Sequence, residues 1–365
     1  ALVLGGTLTL LAAVLRLARL GLSPPGLCQD EAISAWNAYC LLRTGRDMAG
    51  VSWPIFYAHG FGGSPTVLLP YLIIPFQALG GLSVLTTRLV PAVSGILCVP
   101  LLYHVGTRLF GRLTGLVAAA LLVVNPWHVS GTRWAIDGSI VPFLTLVQLA
   151  MLLWAGLPLA DGVSRQRPGR ALLAGVVSGI ACYGYWAVRL HFPVLLALAV
   201  LLAWRWWRGA LRSRAGLAVI LAFALGLAVT FGPLVVRHLT DPAIAARGLQ
   251  TRLWEPGTPL PAVALRVLGR YAIHFGPGFL FVRGDADPGN SPADSGMFEW
   301  ALLPLLLVGL FAALRRVRSQ ASSAFLVAMV LAYPAGDVVA RYDGAHAFRS
   351  SPGIAALLLL AALGA

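Results

Sequence analysis

Two adjacent carboxylates, Asp30 and Glu31, stand just beyond the first apolar segment of a chain in which only 11% of the residues are charged. Ionised carboxylates beside a lipid bilayer need a partner, water or a chemical role, so this pair is a candidate site. A carboxylate placed there could take the proton of a hydroxyl group as a general base. The alternative is that the pair caps a helix starting near Ala32, because acidic residues stabilise a helix N-terminus.

A third carboxylate, Asp137, precedes a long apolar run and lies in the turn 125–138, which also contains His128 and Arg133. In one interpretation Asp137 is an N-cap paired with Arg133, which precedes it at i−4 spacing. In the other it is a second acid that faces the same site as Asp30. His128 is correspondingly either a hydrogen-bonding group of the site or a polar tip at the membrane interface.

The remaining candidates lie in three connecting segments. His59 is surrounded by interfacial aromatic residues, and the later segments 237–298 and 341–351 contribute Arg283, His346 and Arg349. A guanidinium group can hold a phosphate with two hydrogen bonds at once, which makes the arginines candidates for an anionic ligand. Most arginines at a membrane face only mark the headgroup region, and a lone histidine there is more often an interface residue than a ligand.

Membrane-spanning helices must position these residues. Hydrophobic residues make up 58% of the chain, and the mean hydropathy is +0.81. Backbone groups in lipid must be hydrogen-bonded internally, so the repeated apolar runs predict an all-α, polytopic transmembrane helical bundle of about ten spans. We expect one continuous domain over 1–365, without a separate soluble domain. The chain starts at Ala1 and stops within an apolar tail, which predicts truncation at both ends.

The basic residues predict the topology. The net charge is +14, yet the arginines do not form one solvated stripe, which argues against a nucleic-acid-binding protein. Instead they follow the ends of apolar runs, as the determinants of a cytoplasmic face do. The arginine-rich connectors are Arg108/Arg112, Arg165/Arg167/Arg170, Arg205/Arg208/Arg212/Arg214 and Arg315/Arg316/Arg318.

These connectors share one side only if the proline-rich segment 65–80 does not cross the membrane. We therefore assign 23–80 to a large first external loop that bears short interfacial helices and a re-entrant or interfacial segment, with one such helix over 32–44. The segment 237–298 is then a long external loop. This topology places Asp30, His59, Asp137 and both later segments on the external face.

The sequence by itself identifies no cofactor. The four cysteines form no C-x-x-C pair, so we assign no metal ligand and disfavour a zinc site. A divalent cation that assists the reaction stays an open alternative. The chain has no G-x-x-x-x-G-K-[ST] loop, so a nucleotide is not indicated either.

Four motifs occur in a fixed order along 1–157. They are Asp30-Glu31-Ala32, Ser64-Pro65 with the later Thr87-Arg88-Leu89-Val90-Pro91, Arg108-Leu109-Phe110-Gly111-Arg112, and Asn125-Pro126-Trp127-His128 leading to Arg133-Trp134-Ala135-Ile136-Asp137. Together they resemble the GT-C superfamily of membrane glycosyltransferases. More narrowly, they are similar to the bacterial relatives of dolichyl-phosphate-mannose protein mannosyltransferases and of the lipid A aminoarabinose transferase. After residue 157 the resemblance is looser.

Members of this family transfer a sugar from a polyprenyl-phosphate donor outside the cytoplasm. The resemblance therefore implies an enzyme of the bacterial inner membrane with an external active site and a lipid, glycan or protein acceptor. It also implies that Asp30 is the catalytic carboxylate, that Glu31 supports it and that Asp137 is the second acid.

One departure from the family concerns the donor phosphate. The aminoarabinose-transferase branch has a lysine at the position of Ser64, so phosphate binding must fall to other groups in this chain. We assign it to arginines, and the substrate to histidines. The arginines are Arg88, Arg133, Arg283 and Arg349, and the histidines are His59, His128 and His346.

Two other classes of protein stay open at this point. A lipid or sugar transporter would place its ionisable residues near the membrane midplane, whereas the candidates here lie in external loops. A non-catalytic subunit could keep the same fold inside a larger membrane complex. Membrane lipids are expected partners in every case.

Overall fold

The computed structural model of the protein describes residues 2–60, 65–161, 167–242, 244, 251–287, 289–291 and 295–365. Within these ranges the chain is helical, which confirms the all-α class, and the extended pairing consists of two isolated bridges. The first α-helices are α1 (Leu2–Leu17), α2 (Gln29–Thr44), α3 (Leu68–Gly80), α4 (Val84–Phe110), α5 (Arg112–Val124), α6 (Pro126–Gly131), α7 (Val141–Ala155) and α8 (Pro168–Ala181). They are followed by α9 (Trp186–Leu202), α10 (Trp204–Arg212), α11 (Arg214–Thr240), α12 (Leu260–Ile273), α13 (Leu303–Arg316), α14 (Ala321–Ala332) and α15 (Pro352–Gly364).

Three helical segments are long and apolar enough to cross a membrane, namely Val84–Phe110, Asp137–Ala155 and Arg214–Thr240. Helices α9 and α10 make a fourth if they are taken as one span bent by 84°. The other apolar helices have 10–17 residues. The described part of the chain therefore supports three or four spans by length and composition, where the apolar runs predicted about ten.

Helix α4 connects the two ends of the bundle. Its N-cap Ser83 accepts a hydrogen bond from the Thr86 N–H at 3.2 Å, and it ends at Gly111, whose φ of 98° favours glycine. Arg88 lies near its start and Arg108 near its end. At 1.5 Å per residue these two positions are about 30 Å apart, so they lie at opposite ends of the bundle.

The first predicted loop, 23–80, contains helices α2 and α3. Helix α2 starts at Gln29 and so includes the predicted interfacial helix over 32–44. Helix α3 has 13 residues with Pro75 inside it. Its length of about 20 Å is short of the roughly 30 Å apolar core of a bilayer, and the re-entrant or interfacial placement of 65–80 stays a prediction.

Helices α8 and α11 pack closely because small residues face each other. A Cβ atom on Gly175 would lie 2.2 Å from the carbonyl oxygen of Phe223, and one on Gly226 would lie 2.1 Å from that of Leu172. Small residues allow this approach of helix backbones in lipid, where packing drives association. The contact fixes α11 along one face, and many apolar side chains on the rest of α11 stay exposed.

The arginine-rich connectors gather away from the first loop. Arg205, in α10, donates a hydrogen bond to the carbonyl oxygen of Arg318, just beyond α13. Arg170 stacks over Trp154 near the end of α7, with 5.3 Å between the guanidinium carbon and the ring centroid. The common membrane side of these connectors stays a prediction, and Arg165 lies outside the described residues.

The segment 237–298 is more regular than a loop. Helix α11 continues through its first residues to Thr240, and the segment also contains α12 and a turn of π-helix at Gly278–Val282. The predicted boundary therefore falls inside α11, because Asp241 and Pro242 end the helix later than the apolar run does. Positions 243, 245–250, 288 and 292–294 lie outside the described residues.

Candidate active site

A cavity of about 960 Å³ lies at the end of the bundle that carries the first loop. Part of its lining is polar and comes from Asp30, Asp137, Arg189, His346 and Arg349. Another part is apolar and comes from the last turns of α11, at Phe231, Leu234, Val235 and Leu239. The sequence predicts that the two aspartates share a cavity with an arginine, and the fold brings Asp30, Asp137 and Arg349 together in this way.

Asp30 is exposed in the first turn of α2, and its carboxylate forms no hydrogen bond or ion pair with a described residue. The start of α2 is stabilised by its neighbour Glu31, whose Oε2 accepts a hydrogen bond from the Cys28 N–H at 3.1 Å. The two adjacent acids therefore have different places in the structure. Glu31 caps the N-terminus of α2, and the carboxylate of Asp30 lies unpaired at the cavity.

Glu31 is also half of a buried ion pair. The Nε and Nη2 atoms of Arg88 donate to its two carboxylate oxygens at 2.7 and 2.8 Å, and both side chains are fully buried. The other N–H groups of Arg88 donate to the carbonyl oxygens of Leu20, Pro24 and Gly26. Every N–H of this guanidinium is engaged, so the fold places Arg88 in the scaffold and not in the lining of the cavity.

The Glu31–Arg88 ion pair also links the segment of Asp30 to the segment of Asp137. Glu31 Oε1 accepts a hydrogen bond from the Ala135 N–H at 2.9 Å, two residues before Asp137. Asp137 Oδ2 in turn accepts one from the Thr66 N–H at 2.7 Å. Asp137 Oδ1 is buried without a hydrogen-bond partner in the described part of the chain. An acceptor in that state is available to a donor group of a ligand.

Arg189 is a member of the site that the sequence analysis did not select. It lies in the first turn of α9 and stacks over Trp186, with 4.0 Å between the guanidinium carbon and the ring centroid. Its Nε donates to the Cys182 carbonyl oxygen at 3.3 Å, whereas its Nη2 is buried without a partner among the described residues. The feature of the sequence that could have identified Arg189 is a charged residue surrounded by apolar residues.

Arg349 reaches the cavity from the segment between α14 and α15. Its Nη1 lies 3.4 Å from Asp337 Oδ1, and its side chain is 27% exposed. It also forms a hydrogen bond with the side chain of Tyr185, which lines the cavity. The guanidinium therefore has a buried counter-charge behind it and the cavity in front of it.

Asp337 is a second residue that the sequence analysis did not select. Its Oδ2 accepts hydrogen bonds from Arg270 Nη2 at 2.7 Å and from the His346 N–H at 3.0 Å, and His274 Nε2 lies 3.2 Å away. Burial raises the pKa of Asp337, but these hydrogen bonds and the charge of Arg270 outweigh it and hold the pKa at about 2. The carboxylate is therefore charged at neutral pH.

His346 lines the cavity as a neutral imidazole. Burial, followed by the charge of Arg349, lowers the pKa of His346 to about 3. Its Nδ1 is buried without a hydrogen bond in the described structure and lies 3.8 Å from Asp285 Oδ2. Asp285 also accepts a hydrogen bond from the Ala347 N–H at 2.7 Å, which holds this segment in place.

Two of the predicted site residues lie in the scaffold near α1. Arg133 donates four hydrogen bonds to backbone carbonyl oxygens around the end of α1, including those of Ala18 and Ser23. His128 is buried, with its Nδ1 2.7 Å from Arg16 Nη2. Neither side chain lines the cavity.

Two further predicted residues also lie outside the cavity lining. His59 Nδ1 is 2.8 Å from Asp47 Oδ2, and the fully buried Asp47 carboxylate also accepts backbone hydrogen bonds from its own loop. Arg283 is exposed beyond the turn of π-helix. Ser64, where the chain departs from the aminoarabinose-transferase branch, lies outside the described residues.

The described residues contain no group of three or more histidine, cysteine, aspartate or glutamate side chains that could hold a metal ion. The four cysteines are free thiols. The ionisable side chains that line this cavity are two carboxylates, three guanidinium groups, including that of Arg252, and the imidazoles of His238 and His346. Such a set can remove a proton and stabilise an anion.

The sequence profile of the dolichyl-phosphate-mannose-protein mannosyltransferases matches residues 46–238, which is more than half of the chain. A comparison with curated protein sequences gives no match. The matched residues include the later part of the first loop, Arg88, Asp137 and Arg189, whereas Asp30, Glu31 and Arg349 lie outside them.

Solved membrane proteins share the fold. ArnT from Cupriavidus metallidurans in the apo state superimposes with a TM-score of 0.63 at 16% identity, over 100% of this chain and 59% of ArnT. ArnT bound to undecaprenyl phosphate gives a TM-score of 0.61 at 16% identity with the same coverage. The oligosaccharyltransferase AglB from Archaeoglobus fulgidus, in complex with an inhibitory peptide and a dolichol-phosphate, gives 0.63 at 14% identity, over 100% of this chain and 50% of AglB. The chain thus spans between half and three fifths of the length of these proteins.

Proposed function

Because the chain belongs to the dolichyl-phosphate-mannose-protein mannosyltransferase family, we propose that it is a membrane glycosyltransferase that takes its sugar from a polyprenyl-phosphate donor. The acceptor is a lipid, glycan or protein outside the cytoplasm, and the membrane is the bacterial inner membrane with the cavity on its external face. The convergence of two aspartates with arginines, among them Arg189 and Arg349, beside an apolar surface carries this proposal. Lipid-phosphate ligands in the related folds of ArnT and AglB also support it.

The two parts of the cavity suit the two parts of such a donor. A polyprenyl chain is apolar and fits the lining from Phe231, Leu234, Val235 and Leu239, on a helix whose remaining surface is largely exposed and apolar. The sugar phosphate then faces the polar lining. A donor that is half in lipid explains why the acids lie beside a membrane helix and not in a soluble domain.

Asp30 is the proposed general base. A hydroxyl group of the acceptor attacks the anomeric carbon of the sugar, and its proton passes to the free carboxylate of Asp30. The new bond joins the acceptor oxygen to the anomeric carbon, and the bond from that carbon to the phosphate oxygen breaks. Asp137, with its unpartnered Oδ1, is proposed to orient a hydroxyl group of the sugar or the acceptor.

The leaving group is the polyprenyl phosphate. Its charge develops as the bond to the sugar breaks, so guanidinium groups beside it stabilise the transition state. We assign this role to Arg349, as the sequence proposed, and to Arg189, as the fold indicates. Arg88, Arg133, His59 and His128 are assigned to the scaffold.

The test is transfer by the purified protein from labelled polyprenyl-phosphate sugars. We expect label in an acceptor and release of polyprenyl phosphate, and we expect Asp30→Asn to lower the rate by on the order of a hundredfold or more. Asp343→Asn, in an exposed loop outside the cavity lining, is the matched control and should retain the rate. A folded Asp30→Asn protein with normal transfer would exclude Asp30 as the base. An unchanged set of glycans after deletion, together with copurification in a larger complex, would favour a non-catalytic subunit.

A further inference from the structure

Helix α10 lies at the other end of the bundle. It follows α9 after a bend of 84°, so it runs across the end of that helix and not along it. Helix α9 has Arg189 at the cavity in its first turn, and α10 follows its last turn. Where α9 crosses a membrane, a helix bent this sharply from it runs along the membrane surface, at the end of α9 opposite the cavity.

Two stripes run along α10 at the i, i+3, i+7 spacing of a single helix face. The apolar stripe is Trp204, Trp207 and Leu211, and the basic stripe is Arg205, Arg208 and Arg212. Trp207 is buried against the bundle, whereas Trp204 and Leu211 are 49% and 40% exposed. Exposed tryptophan beside a basic stripe is typical of a helix immersed in the headgroup region of a bilayer.

A second set of arginines adjoins this helix. Arg205 donates to the carbonyl oxygen of Arg318, which brings the end of α13 next to the start of α10. We call the arginines of these two segments together the arginine cluster. All of its members are exposed. Its members are Arg205, Arg208, Arg212, Arg214, Arg315, Arg316 and Arg318.

The charge of the arginine cluster is not neutralised within the described protein. None of its members forms an ion pair with a described residue. The nearby carboxylate of Asp161 accepts hydrogen bonds from the Ala321 and Ser322 N–H groups at 2.9 and 3.2 Å, so it is engaged at the start of α14. The chain contains no lysine, so its permanently charged cations are all arginine, the side chain best shaped to hold a phosphate with two hydrogen bonds.

We propose that the arginine cluster binds the headgroups of anionic phospholipids in the leaflet opposite the cavity. The guanidinium groups hold the phosphates, and Trp204 and Leu211 enter the acyl region beside them. An anionic lipid is favoured over a soluble partner because the exposed apolar stripe and the charges lie on one surface helix. This proposal does not depend on the proposed enzymatic function.

The test is lipid binding to the full protein in detergent, measured by native mass spectrometry. Phosphatidylglycerol and phosphatidylcholine with the same acyl chains are the probes, and phosphatidylglycerol should bind more tightly. The triple variant Arg205→Gln/Arg208→Gln/Arg212→Gln should weaken phosphatidylglycerol binding by on the order of tenfold to a hundredfold, because each basic residue adds to the attraction. Phosphatidylcholine binding should not change.

The matched control is Arg43→Gln/Arg266→Gln/Arg341→Gln, which removes the same charge from exposed positions outside the cluster and the cavity. It should bind phosphatidylglycerol as the wild type does. An equal loss in both triple variants would show a general charge effect and overturn the proposal, as would equal binding of the two lipids by the wild type. A second measurement, on the wild type alone, covers the case in which the first triple variant fails to fold. Phosphatidylglycerol binding should weaken with added salt, and salt-independent binding would contradict the proposal.

Discussion

Arginine is used in opposite ways at the two ends of the bundle. At the cavity end Arg88, Arg270 and Arg349 contact buried carboxylates, and the bonds of Arg88 and Arg270 to them are below 3 Å. At the other end the arginine cluster is exposed and forms no ion pair with a described residue. A buried cation must have a defined partner, whereas an exposed one is satisfied by water or a headgroup. Arginine side chains with defined ion-pair partners are therefore concentrated at the cavity end.

The largest effect should come from breaking the buried ion pair. Arg88→Gln leaves Glu31 buried without its counter-charge, and we expect a loss of about 3–5 kcal/mol in the free energy of unfolding. Arg208→Gln in the exposed cluster should change it by less than about 0.5 kcal/mol. Thermal unfolding of both variants in the same detergent measures the difference. Similar losses would show that the two ends do not differ in this way.

The second effect concerns the carboxylates. Asp137→Asn should lower the transfer rate by on the order of a hundredfold while the protein stays folded, because it changes a group that faces the cavity. Asp161→Asn, at the other end, weakens the hydrogen bonds at the start of α14 and should cost about 1 kcal/mol of stability with little change in rate. The transfer rates and thermal unfolding curves of both variants test this prediction. A lower rate in Asp161→Asn alone would contradict the placement of the active site.

The third effect separates arginines of the cavity from those of the cluster. Arg189→Gln and Arg349→Gln should each raise the KM for the lipid donor by on the order of tenfold, since each removes a charged hydrogen bond to phosphate. Arg212→Gln should leave the KM unchanged. Kinetics at varied donor concentration test this. If Arg189→Gln behaves like Arg212→Gln, then Arg189 is not a phosphate ligand.

The last effect is the pH dependence of Asp337, which appears only in acid. Its pKa is lowered from 3.8 to about 2 in the folded protein, so its contribution to stability is complete above the unfolded value and is lost as the pH falls towards about 2. We expect the wild type to lose stability between about pH 4 and pH 2, and Asp337→Asn to lack this part of the loss. Unfolding temperatures across this range provide the comparison. Parallel curves for the two proteins would contradict the shifted pKa.

Part of the candidate site was predictable from residue type and position. Asp30 and Asp137 each stand beside an apolar run, where an unpaired carboxylate is costly, so both attract attention in the sequence. The same reasoning missed Asp337, which lies inside an apolar run, and Arg189, which lies between two apolar runs. It also could not separate Arg88 from Arg349, since both are single arginines near a predicted membrane face.

The sequence by itself determined the helical class, the arginine-rich end and the two aspartates as candidates, because hydropathy and charge act locally along the chain. The tertiary structure decided which acid caps a helix and which faces the cavity, and which arginines are engaged by the scaffold. Glu31 is paired with Arg88 across 57 positions, and Asp337 joins α12 to the segment of Arg349. Such pairings follow from helix packing between distant parts of the chain, and a local sequence pattern does not predict that packing.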